Sequence, residues 1–391
     1  MIQQFQRKLK IHKNVRLALK LRFSNFMTTN SESTQQYDYF NLGHAFEISQ
    51  MSSDLQIGQK YDKISRRQLI LDVIENKPVD RIPVAFWFHF LHDETKINAL
   101  KDPTLTEKLF IGQKNFIERF KPDLVKIMSD GFFFYPLQGD QSEILKIEDL
   151  QRLQPIEPNH PWIRKQVEYV RQVVSIQPDT MYFYNLFSPI NTLRWLVGLE
   201  KIIEFITTDP ELLSQALMRI GEGLAVLAKC AINEGKVDGM YYSVQNPDIN
   251  RVSDETYRKI IKPSDLIALD AANKANGYNI LHICGYDSVR NSISEFKDYE
   301  SKIVNWASHV EDIKIPQGRD IFKNRCIIGG FANGQNCLIK IGSEQEIRSE
   351  TVSILNQTGK RGIIVGADCS LPIDTPLQHL EWIRDEAAKA K

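Results

Sequence analysis

The chain has 391 residues, 42% hydrophobic and 25% charged, the make-up of a globular protein with one large domain or two smaller ones. Lys plus Arg and Asp plus Glu both number 49, so the formal net charge is zero. That balance gives no electrostatic reason to bind nucleic acid or an anionic membrane, and no apolar run approaches the ~20 residues of a membrane span.

Residues 1–62 differ in character from the rest. Between Met1 and Ser31 there are seven Lys or Arg and no acid, mixed with Leu, Ile, Val and Phe. Two readings are open: a targeting presequence or surface amphipathic helix, and a plain accessory extension with Met27 or Met51 as a later start. The second is the simpler. Residues 30–60 are polar and irregular, as linkers are. We therefore expect a poorly ordered 1–62 and a folded domain over 63–391.

From Ser65 the pattern turns regular. A helix at 66–76 precedes Pro78, and eight apolar runs of strand length follow. They lie at 82–88, 124–129, 181–187, 239–244, 279–284, 303–307, 326–331 and 363–367. Amphipathic stretches of helical period lie between them, at 107–120, 162–175, 210–234, 254–276, 343–358 and 376–388. Asp209 before Pro210, and Ser253-Asp254-Glu255, are helix-start signals. Strands that are apolar throughout and alternate with helices read as a parallel sheet covered on both faces. Eight such units predict an α/β fold, a single (β/α)8 TIM barrel with an N-terminal extension. The competing arrangement is an open doubly wound sheet, but no Gly-x-Gly-x-x-Gly follows the first strand.

A barrel carries its reactive residues at the C-terminal ends of its strands. Polar residues gather there: Asp130 after the second, Gln245 and Asn246 after the fourth, His282 and Cys284 at the fifth, His309 after the sixth, Asn333 after the seventh, Asp368 and Cys369 after the eighth. His282 and Cys284 are two apart on a strand and point the same way. Imidazole and thiolate both suit Zn2+. Cys369, 85 positions beyond Cys284, is the natural third ligand, because strands five and eight face each other across a barrel mouth. Taken alone, His-x-Cys is a weak signal, since buried cysteines are common and usually inert. Cys230, Cys326 and Cys337 are read as structural. Five cysteines spread along a long chain do not form a disulfide framework and fit a reducing, cytoplasmic setting.

Other candidates are less marked. Asp130 and the aromatic run Phe132, Phe133, Phe134, Tyr135 either line a substrate pocket or pack an ordinary loop. Tyr241 and Tyr242 alternate, so one faces the interior; Tyr242 is the expected catalytic partner of Asp130. Substrate contacts are expected from His89, Phe133, Gln245, Asn333 and Asp368. His309 is a helix-start residue before it is a fourth ligand. Arg194 and Trp195 are candidates for a lid.

Arg81-Ile-Pro-Val84, Lys121-Pro-Asp-Leu124, Ser129-Asp130, Leu281-His-Ile-Cys-Gly285 and Gly366-Ala-Asp-Cys-Ser-Leu-Pro-Ile-Asp-Thr-Pro376 together resemble the uroporphyrinogen decarboxylase superfamily. The resemblance runs from about Ser65 to Ala387 and implies a (β/α)8 barrel. It also implies one of two chemistries. Uroporphyrinogen decarboxylases remove carboxyl groups from a tetrapyrrole without a cofactor, and bind its carboxylates through arginines that follow the first strand. Here that segment, residues 85–94, contains no Arg, and His89 and His92 cannot supply the same bidentate pairing. Asp130 does match the family's Ser-Asp element, but Cys369 stands where the decarboxylases carry His. The second branch, corrinoid-dependent methyltransferases of the methylcobalamin:coenzyme M type, carries His-x-Cys and a distant Cys as zinc ligands. His282, Cys284 and Cys369 complete that pattern.

The expected function is therefore zinc-dependent methyl transfer from a corrinoid to a small thiol acceptor. The chain has no corrinoid motif, so methylcobalamin would be supplied by a partner corrinoid protein. Decarboxylation of uroporphyrinogen or a related acid is the alternative, and a non-catalytic corrinoid- or tetrapyrrole-binding protein a third.

Overall fold

The structure, a computed structural model, describes residues 64–91, 97–129, 132–139 and 143–390. The expected extension at 1–62, His92 and the candidate catalytic Asp130 lie outside the described residues.

Eight parallel strands form one sheet: β1 (Val84–Ala85), β2 (Leu124–Ile127), β3 (Met181–Phe187), β4 (Gly239–Val244), β5 (Ile280–Ile283), β6 (Ile303–Trp306), β7 (Cys326–Phe331) and β8 (Ile363–Ala367). The order is β1-β8-β7-β6-β5-β4-β3-β2, so first and last strands are neighbours and the sheet curls into a barrel. Almost every strand position is buried, because one face lines the barrel and the other meets the helices. This is the (β/α)8 architecture that the alternation of runs predicts.

β1 is much shorter than the expected 82–88. It is hydrogen-bonded on one side only, to β8, through Val84↔Val365 and Ala85↔Gly366. Toward β2, side chains do the work of a ladder. The Arg81 guanidinium donates to both carboxylate oxygens of Asp123, at 2.8 and 2.6 Å, and the Val84 N–H donates to Asp123 Oδ2 at 2.9 Å. Burial opposes the charge on Asp123, but the Arg81 bonds and charge outweigh it and hold the carboxyl below its ordinary range.

The helices begin where their caps dictate. Asp209 accepts from the Leu212 N–H ahead of the helix Pro210–Asn233, and Ser253 accepts from the Thr256 N–H. The stretch 254–276 is not one regular helix. A short turn, Asp254–Thr256, passes into a π-helical segment, Tyr257–Ile261, before the helix Lys262–Lys274. Pro263 has no N–H to donate, and the Lys262 N–H reaches back to the Tyr257 carbonyl, which widens the turn. Two helices that the periodicity left unmarked, Pro189–Val197 and Leu199–Thr208, follow β3. They meet at Gly198, whose φ of +81° is one that residues with a Cβ rarely adopt. Among the described residues no helix is long and apolar enough to cross a membrane.

Candidate metal centre

Alternation along the strands selects what enters the barrel. β5 pairs Ser243↔His282 on one side and His282↔Asn305 on the other, so these three side chains share a layer inside the barrel. Cys284 stands two positions beyond His282, and Cys369 two beyond the end of β8. The ligand atoms of His282, Cys284 and Cys369 all lie within 4.8 Å of one another, and His282 Nε2 is 3.6 Å from Cys369 Sγ. That spacing fits a tetrahedral ion: Zn–N of ~2.0 Å and Zn–S of ~2.3 Å place the two donors ~3.6 Å apart. His282 is buried and the two cysteines are half-buried at the wall of a cavity.

The electrostatics suit a metal as well. The hydrogen bond to Cys369, with burial, pushes the Cys284 thiol well up. The same bond, opposed by burial and helped by the nearby Lys126, pulls Cys369 well down. The two thiols therefore titrate as a pair rather than as independent groups. Lys126 favours the thiolate form of both cysteines. It is a buried lysine on β2, its ammonium 4.3 Å from the centre of the Tyr241 ring.

The cavity beside the cluster has a volume of about 100 Å³. At the ~10–15 Å³ that one water needs, it has room for a small molecule and a few waters. Asn191, Arg194 and Trp195 reach it from the helix Pro189–Val197, and Tyr286 lies at its wall, 44% exposed. His89 lines it, as does Gln245, which accepts from Arg194 at 3.3 Å and donates to the Tyr286 carbonyl at 3.0 Å. Phe133 lines a separate cavity of about 40 Å³, which shares Phe187 and Trp195 with the first.

Three of the expected residues face elsewhere. Tyr242 points out of the barrel and donates to the Asp265 carbonyl at 2.8 Å; its neighbour Tyr241 takes the interior position, its ring 4.9 Å from the His282 ring. Burial and the nearby Asp265 push the Tyr242 phenol well up, so it is a fixed donor in the helix layer. Asp368 is also turned outward, because Cys369 beside it is turned in. It accepts from the Ser308 hydroxyl at 2.7 Å and from the His309 N–H and Nδ1, both at 2.9 Å, and so holds the start of the helix Ser308–Glu311. His309 is that helix's partner for Asp368 and is not among the clustered donors. Asn333 is not in the cavity wall; it donates to the Ser370 carbonyl at 3.1 Å and braces the loop that carries Cys369. Cys230 and Cys326 are buried in a helix and at a strand start, and Cys337 precedes the helix Leu338–Ile341.

Lys126 and Asn305 were not among the expected residues, and of the two tyrosines it is Tyr241, not the expected catalytic Tyr242, that faces the interior. A usable signal was present. Each is a polar side chain in an otherwise apolar strand buried on both faces, as in Leu-Val-Lys-Ile and Ile-Val-Asn-Trp, and such a residue tends to face the barrel axis.

Fold and cavity together define a class, a parallel α/β barrel with a thiol–imidazole cluster at the C-terminal ends of its strands. The sequence profile of the family Uroporphyrinogen decarboxylase (URO-D) matches residues 140–390, and the chain belongs to that family. Among curated relatives, a uroporphyrinogen decarboxylase of Trichodesmium erythraeum (strain IMS101) is 22% identical over 286 residues, 67% of this chain and 77% of the relative. Among solved structures, a methyltransferase from Methanosarcina mazei has the same fold, with a TM-score of 0.62 at 15% identity over 84% of this chain and 99% of that one.

Proposed function

We propose that the protein transfers a methyl group from a corrinoid, presented by a separate corrinoid protein, to a small thiol acceptor, with zinc held by His282, Cys284 and Cys369. The observation that carries this reading is the convergence of one imidazole and two cysteine sulfurs on a single point of the cavity wall. Bound zinc supplies the Lewis acidity that makes a thiol ionise at neutral pH. The chain's own residues then bind and orient. Trp195, Phe187 and Tyr286 wall the acceptor from water, and Lys126 and Arg194 favour its anionic form. A methyl-corrinoid donor would supply the methyl group as a cation equivalent and keep the bonding electron pair, the acceptor sulfur would take the methyl, and the thiol proton would go to solvent. The name of the solved methyltransferase agrees with this reaction class, and the absence of Arg from 85–94 argues against a substrate rich in carboxylates.

Decarboxylation of a porphyrinogen or a smaller acid is the second reading, favoured by the curated relative's name. One experiment separates the two. Elemental analysis of purified, unchelated protein is expected to give about one zinc per chain, lost in Cys284→Ser. Methyl transfer from methylcobalamin to a thiol is expected from the wild type and not from Cys369→Ala. A fully active, zinc-replete Cys369→Ala, or turnover of uroporphyrinogen by the pure protein, would sink the proposal.

A further inference from the structure

We propose that Asn305 is the positioning residue of this centre: it fixes His282 in the tautomer whose Nε2 lone pair faces the two cysteines. The inference rests on His282 being a metal ligand, and it concerns how the chain prepares that ligand before any metal arrives.

Asn305 is fully buried on β6, directly beside His282 in the ladder. Its carboxamide nitrogen donates to two backbone carbonyls, Ile328 at 3.0 Å and Ala367 at 3.1 Å. Carbonyls only accept, so the nitrogen end of the amide must lie there and the oxygen end must lie opposite. A flipped amide would set its oxygen against two carbonyl oxygens in a dry interior, at the cost of two bonds. Oδ1 therefore faces His282 Nδ1, at 2.6 Å, and the Tyr241 hydroxyl, at 2.8 Å.

The consequence for histidine follows from proton counting. An oxygen that can only accept requires the proton on Nδ1, and a neutral imidazole carries one N–H. Nε2 is then left with its lone pair, 3.6 Å from Cys369 Sγ, the orientation a ligating nitrogen needs. Tyr241 adds a second restraint, since its hydroxyl fills the other lone pair of Oδ1 while its ring lies along the imidazole. Placement matters too. The Ala367 carbonyl belongs to β8, two residues before Cys369, so one amide ties the strand carrying the histidine ligand to the strand carrying the distal cysteine.

The test uses full-length protein with 15N-labelled histidine, stripped of metal. Long-range 1H–15N correlation reports the tautomer, and His282→Gln identifies the resonance. The wild type is expected to show His282 protonated on Nδ1 before metal is added. Asn305→Leu is expected to lose that single tautomer and to bind zinc ~10–100-fold more weakly in competition with a chromophoric chelator. Tyr241→Phe keeps the amide, and is expected to keep the tautomer and stay within a few-fold of wild-type affinity. An Nε2-protonated His282 in the metal-free wild type overturns the proposal without any variant having to fold. So does an Asn305→Leu protein with unchanged zinc affinity. A wild type that shows the Nδ1–H tautomer yet binds no zinc overturns the metal reading and leaves the positioning intact.

Discussion

Asp265 shows how much one buried carboxyl can alter the response to pH. It is fully buried behind the barrel, and its Oδ2 accepts from the Tyr257 and Tyr299 hydroxyls at 2.8 and 2.9 Å. Burial, only partly opposed by those two bonds, pushes its pKa up to about 7. The unfolded chain releases this proton near ~4, so between ~4 and ~7 the native state holds a proton that the unfolded state lacks. Its contribution is therefore full below ~4 and lost as pH rises through the folded value, by about 4 kcal/mol in all. Asp265→Asn keeps an acceptor for both tyrosines and removes the titration. The stability gap between variant and wild type, read by urea unfolding, is expected to swing toward the variant by several kcal/mol between pH 4 and pH 8. A gap that does not change with pH would show that Asp265 is ionised in the native protein at all these values. His309 has the same sign by another route: its bond to Asp368 raises it, so that contact weakens as pH rises above the imidazole range.

At the scale of elements, side chains bridge the seam between β1 and β2 of this barrel. Arg81, Asp123 and the Val84 N–H replace a backbone ladder there, all in a buried setting. Removing one partner of a buried pair leaves an uncompensated charge, at about 3–5 kcal/mol. Arg66, 3.9 Å from Asp123, still offsets part of that charge, so Arg81→Leu is expected to destabilise the protein by less than that full amount and to lower amide hydrogen-exchange protection in β1 and β2 before the other strands. Uniform loss of protection would mean that the seam has no local role. Because Asp123 is held low, this contact is present above the ordinary carboxylate range and lost as pH falls through the folded value. The π-helical segment Tyr257–Ile261 belongs to this scale as well. It turns Tyr257 onto Asp265, so the irregularity that Pro263 imposes also builds the buried polar cluster.

For the whole molecule, the proposed zinc would join the fifth and eighth strands across the mouth. A ligand that binds only the folded state stabilises it by mass action, about 3–4 kcal/mol at ~100–1,000 times its Kd. In a domain of this size that is a rise in Tm of roughly 4–6 °C. Adding zinc to stripped wild type is expected to give such a rise in a thermal melt, and Cys284→Ser to give none. An equal rise in both would place the stabilising ion elsewhere on the chain.

The sequence by itself determined the number, order and type of the eight strands and most of the helices around them. Each of those is a local pattern: an apolar run of a few residues, a Pro after an Asp, a Ser before two acids. It also offered His282, Cys284 and Cys369 as one group, since a period of two and a barrel's strand order can be read without coordinates. Only the tertiary structure decided which of Tyr241 and Tyr242 enters the barrel, that Asp368 turns away beside Cys369, and which partners Lys126 and Asn305 meet inside. The reason is physical. In a strand buried on both faces, the apolar pattern no longer marks the inner side, and the facing of a residue is set by its register against strands distant in the chain.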